Sequence, residues 1–174
     1  MEDIKKYIRS IPDFPKPGVR FYDITTLLDD PAGFKLALRR MEDYVISCGA
    51  EKILAIESRG FIFGAALADR LNLPLAIVRK PGKLPGRTVS EEYDLEYGSD
   101  RIEMHEDAVA PGQRIVVVDD LIATGGTLAA ACRLVEKLGG EIAGISAVVA
   151  LTFLPYEEKL EAYNYNYLVA YDSE

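Results

Sequence analysis

Two acidic residues stand between an apolar run and a loop of small residues in the segment VVVDDLIATGGT, residues 116–127. The loop consists of Ala123, Thr124, Gly125, Gly126 and Thr127. Glycine lets a backbone approach a ligand closely, a following helix offers unpaired N–H groups, and threonine hydroxyls add donors. These groups favour a monophosphate as the ligand. The alternative is a plain strand–turn–helix connection with an Asp cap.

The paired acids, Asp119 and Asp120, would repel a phosphate if they faced it. A carboxylate accepts hydrogen bonds from adjacent ribose hydroxyls, and it can help to hold Mg²⁺ directly or through water. The acids would then face the sugar while the loop faces the phosphate. The segment therefore predicts a ribose 5-phosphate group as the ligand.

Cationic residues follow two other apolar runs. Arg59 lies in ESRGF, residues 57–61, and a cluster of three cations lies in VRKPGKLPG: Arg79, Lys80 and Lys83. The arginine fork matches phosphate oxygens, and a cation cluster beside an anion site is expected to bind an anion such as pyrophosphate. The alternatives are a surface arginine that caps a helix and a solvated basic turn.

The elements that must position these residues alternate along the chain. Short apolar strands are predicted at residues 53–57, 75–79, 114–119 and 141–151, with a last strand at 165–170. Helices are predicted at residues 31–48, 60–71 and 126–138, after a short first helix at 2–10. Apolar strands separated by helices predict an α/β fold whose parallel sheet is covered on both faces. In such a sheet, ligands bind at the carboxyl ends of the strands.

Residues 80–108 interrupt this alternation. A basic, turn-rich loop is followed by TVSEEYDLEYGSDRIEMHEDA, in which apolar and polar residues alternate, with Glu91 as an exception on the apolar face. The pattern predicts a β-hairpin arm inserted in the α/β core. Long insertions on a rigid scaffold are often lids or dimer arms. Glu96 falls on the polar face, where most glutamates are simply solvated.

The bulk properties exclude several classes of protein. The 174 residues predict a single domain, and the net charge of −8 argues against broad nucleic-acid or anionic-membrane binding. Two distant cysteines, Cys48 and Cys132, are expected to be buried or inert thiols, and one histidine makes a zinc site improbable. The first ten residues are charged and amphipathic, unlike a signal peptide, and no apolar run could span a bilayer. We therefore expect a soluble, cytoplasmic protein.

The segment at residues 116–127 resembles the phosphoribosyl pyrophosphate (PRPP) motif of type I phosphoribosyltransferases. Within that family the chain resembles the adenine phosphoribosyltransferases over nearly its whole length, on the segments FPKPGVRFYDIT, ESRGFIFGAALA, VRKPGKLPG and YDLEYGSDRIEMHEDA. The resemblance implies the type I phosphoribosyltransferase fold. In that fold a parallel central sheet of about five strands is flanked by helices, with an N-terminal hood at about residues 1–30 and the inserted hairpin arm.

The resemblance also implies an activity and site roles. The reaction would be purine salvage with Mg²⁺, in which adenine and PRPP give AMP and pyrophosphate. Ser58, Arg59, Arg79, Lys80 and Lys83 resemble pyrophosphate-binding residues, some of them donated across a homodimer. Glu96 resembles the family's catalytic acid or base on a closing loop, and the Ser58–Arg59 peptide is the candidate for a cis bond in the pyrophosphate loop. Mg²⁺ would be held mainly by PRPP and water, with Asp119 and Asp120 as candidate protein ligands.

The adenine-binding candidates are Arg20, Phe21 and Tyr22 in FPKPGVRFYDIT. Phe21 would stack on the purine, while the main chain of its neighbours would read the amino group and ring nitrogens. Similar proteins usually carry a basic residue at the position of Tyr22 and an aliphatic one at Arg20, so this chain departs from the pattern where the base binds. Without the resemblance, Phe21 is an ordinary core residue.

Two alternatives stay open at this point. One is a phosphoribosyltransferase for a 6-oxopurine such as xanthine or hypoxanthine, since exchanging the 6-substituent turns a donor into an acceptor. The other is a PRPP-sensing regulator without catalysis. A regulator should lack the pyrophosphate and lid residues and carry a DNA-binding extension, whereas Arg59, Arg79, Lys83 and Glu96 are present here.

Overall fold

A computed structural model describes residues 3–94 and 98–173 of the protein. Its centre is a parallel sheet in the order β4-β3-β7-β8-β9, built from β3 (Lys52–Ile56), β4 (Leu75–Val78), β7 (Arg114–Ile122), β8 (Glu141–Leu151) and β9 (Tyr165–Tyr171). The strands are mainly apolar, and most of their residues are buried, as a sheet covered on both faces requires. The predicted α/β fold with five parallel strands is confirmed in the described part of the chain.

Helices cover both faces of this sheet. They are α1 (Thr25–Asp29), α2 (Pro31–Ser47), α3 (Gly60–Leu71), α4 (Gly126–Lys137) and α5 (Glu157–Leu160). The buried faces of α2 and α3 belong to one apolar cluster, and α4 belongs to a second cluster on the other side of the sheet. Asp30 caps α2 by accepting from the N–H groups of Ala32 and Gly33. No helix in residues 3–94 and 98–173 is long and apolar enough to cross a membrane.

Two antiparallel pairs lie outside the central sheet. The hood contains β1 (Arg9–Ile11) paired with β2 (Phe21–Asp23), and the arm contains β5 (Thr88–Asp94) paired with β6 (Ser99–His105). The hairpin arm is therefore confirmed, with Val89, Glu91 and Tyr93 on its less exposed side. The predicted helix at residues 2–10 is wrong in its second half: a short 3₁₀ helix spans Ile4–Tyr7, and the chain then extends into β1.

The two cysteines are free. Cys132 is buried on α4, and burial raises the pKa of its thiol, while Cys48 is partly buried at the end of α2. These surroundings agree with the expected inert thiols.

Candidate active site

The acid pair lies where one strand of the sheet outruns its neighbour. The strand β3 pairs with β7 as far as Ala55 opposite Val118, whereas β8 pairs with β7 as far as Ala150 opposite Ile122. Since the chain leaves β3 and turns into α3, β7 has an open edge beyond Val118. Asp119 and Asp120 occupy this open edge. They therefore lie inside β7, which continues to Ile122, whereas the predicted strand ended at Asp119 with the acid pair at its carboxyl end.

Gly60 allows α3 to start directly against this edge. A Cβ atom at Gly60 would lie 2.8 Å from the carbonyl oxygen of Val118 and 2.9 Å from Oδ1 of Asp119. Only glycine fits at that distance without a shift of β7 or α3. The N-terminus of α3, which has no side-chain cap, is thereby held beside the acid pair.

The acid pair is crowded and poorly solvated. The backbone N–H of Asp120 donates to Oδ1 of Asp119 over 2.8 Å, and Arg59 forms an ion pair with Oδ2 of Asp120 over 3.0 Å. Burial, reinforced by the charge of Asp120, raises the pKa of Asp119 well above its ordinary value. Burial also raises the pKa of Asp120, although Arg59 opposes the change. Sugar hydroxyls or a cation would relieve this excess of negative charge.

The predicted phosphate loop forms a niche beside the acids. A small cavity of about 70 Å³ is lined by Asp119, Leu121 and residues 123–128. Gly125 has a φ of +74°, and a Cβ atom there would also lie 3.1 Å from the Cβ of Tyr156. The N-cap residue of α4 is Gly125, which has no side chain, so it leaves the first N–H groups of the helix able to bind an anion.

A larger cleft of about 380 Å³ opens next to the niche and shares four lining residues with it, Asp119, Leu121, Ala123 and Thr127. The cleft is lined by residues at the carboxyl ends of β3, β4 and β7 and by the inner face of the arm. Of the predicted pyrophosphate residues, this cleft brings together Ser58, Arg59, Arg79 and Lys80. The fold thus gathers the acid pair, the small-residue loop and four of the five pyrophosphate candidates at one edge.

Each of these cations already has an acidic partner. Arg79 donates to both carboxylate oxygens of Glu57, and Nζ of Lys80 lies 2.8 Å from Oδ2 of Asp100 on the arm. Lys83 is exposed on the following turn, and its carbonyl oxygen accepts from Nη1 of Arg79 over 3.2 Å. These acidic partners therefore hold the cations of the cleft in place.

The hood brings its aromatic residue to the edge of the cleft. The ring centroid of Phe21 lies 5.8 Å from the guanidinium carbon of Arg59 and 5.3 Å from the ring of Phe14. The side chain of Arg20 donates instead to the hydroxyl of Ser10, over 3.0 Å. Tyr22 stacks on Tyr171, with ring centroids 3.6 Å apart. The side chains of Phe21 and Tyr22 thus have different partners, and reading of the base by their main chain stays a prediction.

Glu96 lies outside the described residues, so its predicted catalytic role is not tested by this geometry. The prediction of a cis Ser58–Arg59 peptide is wrong by one position, because the cis bond joins Glu57 to Ser58. No local pattern in the sequence distinguishes the two peptides, so the position of the cis bond is visible only in the fold.

Four residues of the site had no role assigned from the sequence: Glu57, Gly60, Tyr93 and Asp100. The position of Glu57 directly after an apolar strand was a usable signal, and so was the inward face of Tyr93 in the alternating arm. The ion pair between Asp100 and Lys80 had no signal, since 20 residues separate the partners along the chain.

Comparisons with known proteins agree with this geometry. The family model for the phosphoribosyl transferase domain matches residues 26–168. An adenine phosphoribosyltransferase of Acidobacterium capsulatum is 57% identical over 158 residues, which cover 91% of this chain and 87% of that protein.

Solved structures of adenine phosphoribosyltransferases are also similar. The crystal structure of the enzyme from Thermoanaerobacter pseudethanolicus has a TM-score of 0.93 at 49% identity, covering 97% of this chain and 98% of that one. The Saccharomyces cerevisiae enzyme, complexed with adenine and an iminoaltritol bisphosphate, has a TM-score of 0.88 at 36% identity, covering 95% of this chain and 96% of that one. The predicted type I phosphoribosyltransferase fold is confirmed by these structures. The chain belongs to the phosphoribosyltransferase family and, within it, to the adenine phosphoribosyltransferases.

Proposed function

We propose that the protein transfers the phosphoribosyl group of PRPP to adenine in purine salvage and releases AMP and pyrophosphate. The observation that carries the proposal is the meeting of three groups at one edge of the sheet. These are the acid pair for the ribose hydroxyls, the small-residue niche for the 5-phosphate, and the paired cations for the pyrophosphate. The yeast relative that holds adenine and a bisphosphate supports the same choice of ligands.

Different residues of the site assist different parts of the cleavage of the bond between C1′ and pyrophosphate. Arg59, Arg79, Lys80 and Lys83 stabilise the negative charge that develops on the leaving pyrophosphate. Asp119 and Asp120 anchor the ribose hydroxyls and offset the positive charge that develops on the sugar. Adenine N9 then attacks from the opposite face, held by stacking on Phe21 and by the main chain of Arg20 and Tyr22.

Mg²⁺ fits this site as a companion of PRPP. In residues 3–94 and 98–173, no cluster of three or more His, Cys, Asp and Glu could hold a metal ion. Asp119 and Asp120 supply carboxylate oxygens, which Mg²⁺ prefers, and their crowded charges would be relieved by a cation. PRPP and water would supply the remaining ligands, and the bound ion would neutralise charge on the phosphates.

A panel of purines tests the choice of base. We expect a kcat/KM for adenine at least about 100-fold above those for hypoxanthine, guanine and xanthine, because a site that reads a 6-amino donor leaves groups unpaired against a 6-oxo acceptor. A higher kcat/KM for an oxopurine would overturn the choice of adenine. Binding of PRPP without release of pyrophosphate from any purine would instead favour the regulator.

Glu96 is proposed to act as the acid or base that transfers a proton to or from the purine, as the family resemblance implies. The Glu96→Gln variant should lower kcat by about 100-fold, the usual range for loss of a general acid or base, and change the dissociation constant for PRPP much less. Steady-state rates and calorimetric binding of PRPP measure the two quantities separately. An unchanged kcat would remove Glu96 from the mechanism.

The proposal also includes the assembly and location of the protein, as a homodimer in the cytoplasm. The strand β4 lies at an edge of the central sheet, and Leu75 on β4 and Ile62 on α3 are about 40% exposed, which supports burial of this side against another copy. Sedimentation of the purified protein should give twice the chain mass of 19.2 kDa. A monomer at assay concentrations would contradict a role of a second copy.

A further inference from the structure

Glu57 is an acidic side chain on the wall of a cleft that is built for an anion. Its carboxylate should repel pyrophosphate, so its place in the cleft calls for a second effect that outweighs the repulsion. Hydrogen bonding to Arg79 and to the N–H of Lys80 lowers the pKa of Glu57, so the group is ionised at neutral pH. The negative charge of Glu57 in an anion-binding cleft therefore needs a structural explanation.

The register of the sheet supplies that reason. The strands β3 and β4 are parallel, with Ile56 opposite Val78, so the next residues, Glu57 and Arg79, are neighbours at the carboxyl edge. Oε1 of Glu57 accepts from Nη2 of Arg79 over 3.0 Å, and Oε2 accepts from Nε over 3.2 Å. This two-point contact fixes the plane of the guanidinium group.

The contact extends to the loop that follows. Oε2 of Glu57 also accepts from the backbone N–H of Lys80 over 2.9 Å, and Nη1 of Arg79 donates to the carbonyl oxygen of Lys83 over 3.2 Å. The backbone of Arg79 exchanges two hydrogen bonds with Glu103 on the arm. One carboxylate therefore orders an arginine, the start of the basic loop and, through the arginine, its end.

We propose that Glu57 is a positioning residue that pre-orders Arg79 and the loop 80–83 to receive the pyrophosphate end of PRPP. The inference rests on the proposed function, since it concerns the same ligand. A group that is already ordered loses less entropy when it binds, so pre-ordering raises affinity although the charge of Glu57 is unfavourable by itself. Glu57 does not touch the reacting atoms and acts through Arg79 and through the backbone N–H of Lys80.

The Glu57→Gln variant tests this role because it keeps the shape and removes the charge. Binding of inorganic pyrophosphate with Mg²⁺, measured by calorimetry, should weaken by about tenfold, the effect of losing a charged hydrogen-bonded pair. The KM for PRPP should rise by a similar factor, and the KM for adenine should change by less than about twofold. Pyrophosphate binding that is unchanged or tighter overturns the proposal.

Glu103→Gln is the matched control, since Oε2 of Glu103 accepts from the N–H of Gly82 over 3.1 Å on the same loop. If only the removal of a negative charge mattered, the two variants would change pyrophosphate affinity equally. An equal change would therefore also overturn the proposal. The double variant with Arg79→Gln should lose less pyrophosphate affinity than the sum of the two single losses, because Glu57 acts largely through that arginine, which supplies two of the three hydrogen bonds that its carboxylate accepts. Additive losses would contradict this.

Failure of the Glu57→Gln variant to fold and failure of the proposed function can both be distinguished from failure of the Glu57 proposal. If Glu57→Gln does not fold, as judged by its thermal transition, Glu57→Asp replaces it as the test variant. Glu57→Asp keeps the charge at a shorter reach and should weaken pyrophosphate binding by up to about tenfold relative to wild type. A wild-type dissociation constant would overturn the role. A wild-type protein that binds pyrophosphate but makes no AMP would defeat the proposed function and leave the binding test of Glu57 intact.

Discussion

Gly60 lies where any side chain would collide with the strand that carries the acid pair. The carbonyl oxygen of Val118 and Oδ1 of Asp119 both lie within 3 Å of the position that a Cβ atom would take. Backbone cannot give way as a flexible side chain can, so α3 or β7 must move if a methyl group is added. The spacing between Arg59 on the β3–α3 loop and the acids on β7 thus depends on the absence of a side chain at residue 60.

We expect Gly60→Ala to lower the free energy of unfolding by about 1–3 kcal/mol, although alanine favours helix by about 1 kcal/mol. Displacement of Asp119 should also raise the KM for PRPP by about fivefold or more, roughly 1 kcal/mol of binding. Urea denaturation and steady-state rates measure the two effects.

Gly64→Ala, on the same helix, is the control for Gly60→Ala. Its Cβ would lie 2.5 Å from the Cβ of Ala55, so it should destabilise the fold without displacing the acid pair. A normal KM for PRPP in Gly60→Ala, or an equal rise in both variants, would show that Gly60 does not set the geometry of the site.

The residues with a chemical role could be predicted from the sequence, but most of their partners could not. Asp119, Asp120 and Arg59 stand next to strands or glycines in local patterns that favour a sugar phosphate site. The partnership of Arg79 with Glu57 depends on the register of two strands separated by a helix, and the partnership of Lys80 with Asp100 depends on how the arm packs. Such pairings are set by tertiary structure, which a local pattern does not contain.

Among the elements, the hood strand β2 is held by an unusually acidic carboxyl group. Asp23 is 6% exposed, and hydrogen bonds from Arg9 and from the N–H and hydroxyl of Thr25 lower its pKa to about 2. Since the folded-state pKa lies below the unfolded value of about 3.9, the stabilisation is present above pH 4 and is lost as the pH falls toward 2.

Asp23→Asn should remove that part of the pH dependence. Arg9 is half exposed, so water weakens the pair, and the contribution is about 1 kcal/mol. Urea denaturation from about pH 5 down to about pH 2.5 should show a steeper loss of stability in the wild-type protein than in the variant. If the free energy of unfolding depended on pH in the same way in both proteins, Asp23 would not be the source of this pH dependence.

The arm is held to α4 by the residue that broke its alternating pattern. Glu91 faces inward, where it accepts from Nε of Arg133 over 2.6 Å and from Nζ of Lys137, both on α4. Its side chain is only 14% exposed. An apparent exception in the sequence is thus an ion-pair contact between the arm and α4, the helix whose N-terminus lines the niche beside the acid pair.

Glu91→Ala should loosen the arm at this contact. Hydrogen exchange at the amides of β5 should become faster, and the free energy of unfolding should fall by about 1 kcal/mol, with a smaller difference at high salt because ions screen the pair. Glu92→Ala is the control, since Glu92 faces outward and accepts from Ser99. Equal protection of β5 in wild type and Glu91→Ala would contradict the proposed attachment.

Element boundaries followed from the sequence where local signals determine them. The bounds of α3 and β8 agree with the predictions of 60–71 and 141–151, because glycine boundaries and continuous apolar runs mark both. Residues 2–10 were predicted as a helix, but Arg9–Ile11 extends to pair with Phe21–Asp23, a partner that lies beyond the proline-rich loop. The last residues of β7 stay extended because β8 continues beside them.

At the scale of the whole molecule, the hood, near the start of the chain, contacts residues near the end of the described chain. The ring of Tyr22 on β2 stacks on Tyr171 at the end of β9, with an interplanar angle of 17°, and its hydroxyl donates to the carbonyl oxygen of Ser173 over 3.0 Å. Nζ of Lys5 lies 5.0 Å from the centroid of the Tyr171 ring. The hood strand that carries Phe21 is therefore attached to the central sheet through its last strand.

Tyr171→Ala should weaken this attachment and, with it, the placement of Phe21. Losing a stacked, partly buried ring should lower the free energy of unfolding by about 2 kcal/mol. If Phe21 holds the base, the KM for adenine should rise by several-fold while the KM for PRPP stays near wild type, since the acid pair and niche belong to β7 and α4. Tyr171→Phe keeps the ring and should behave as wild type in both measurements. A parallel rise of both KM values in Tyr171→Ala would mean that the stack supports the whole fold and does not orient the base-binding strand in particular.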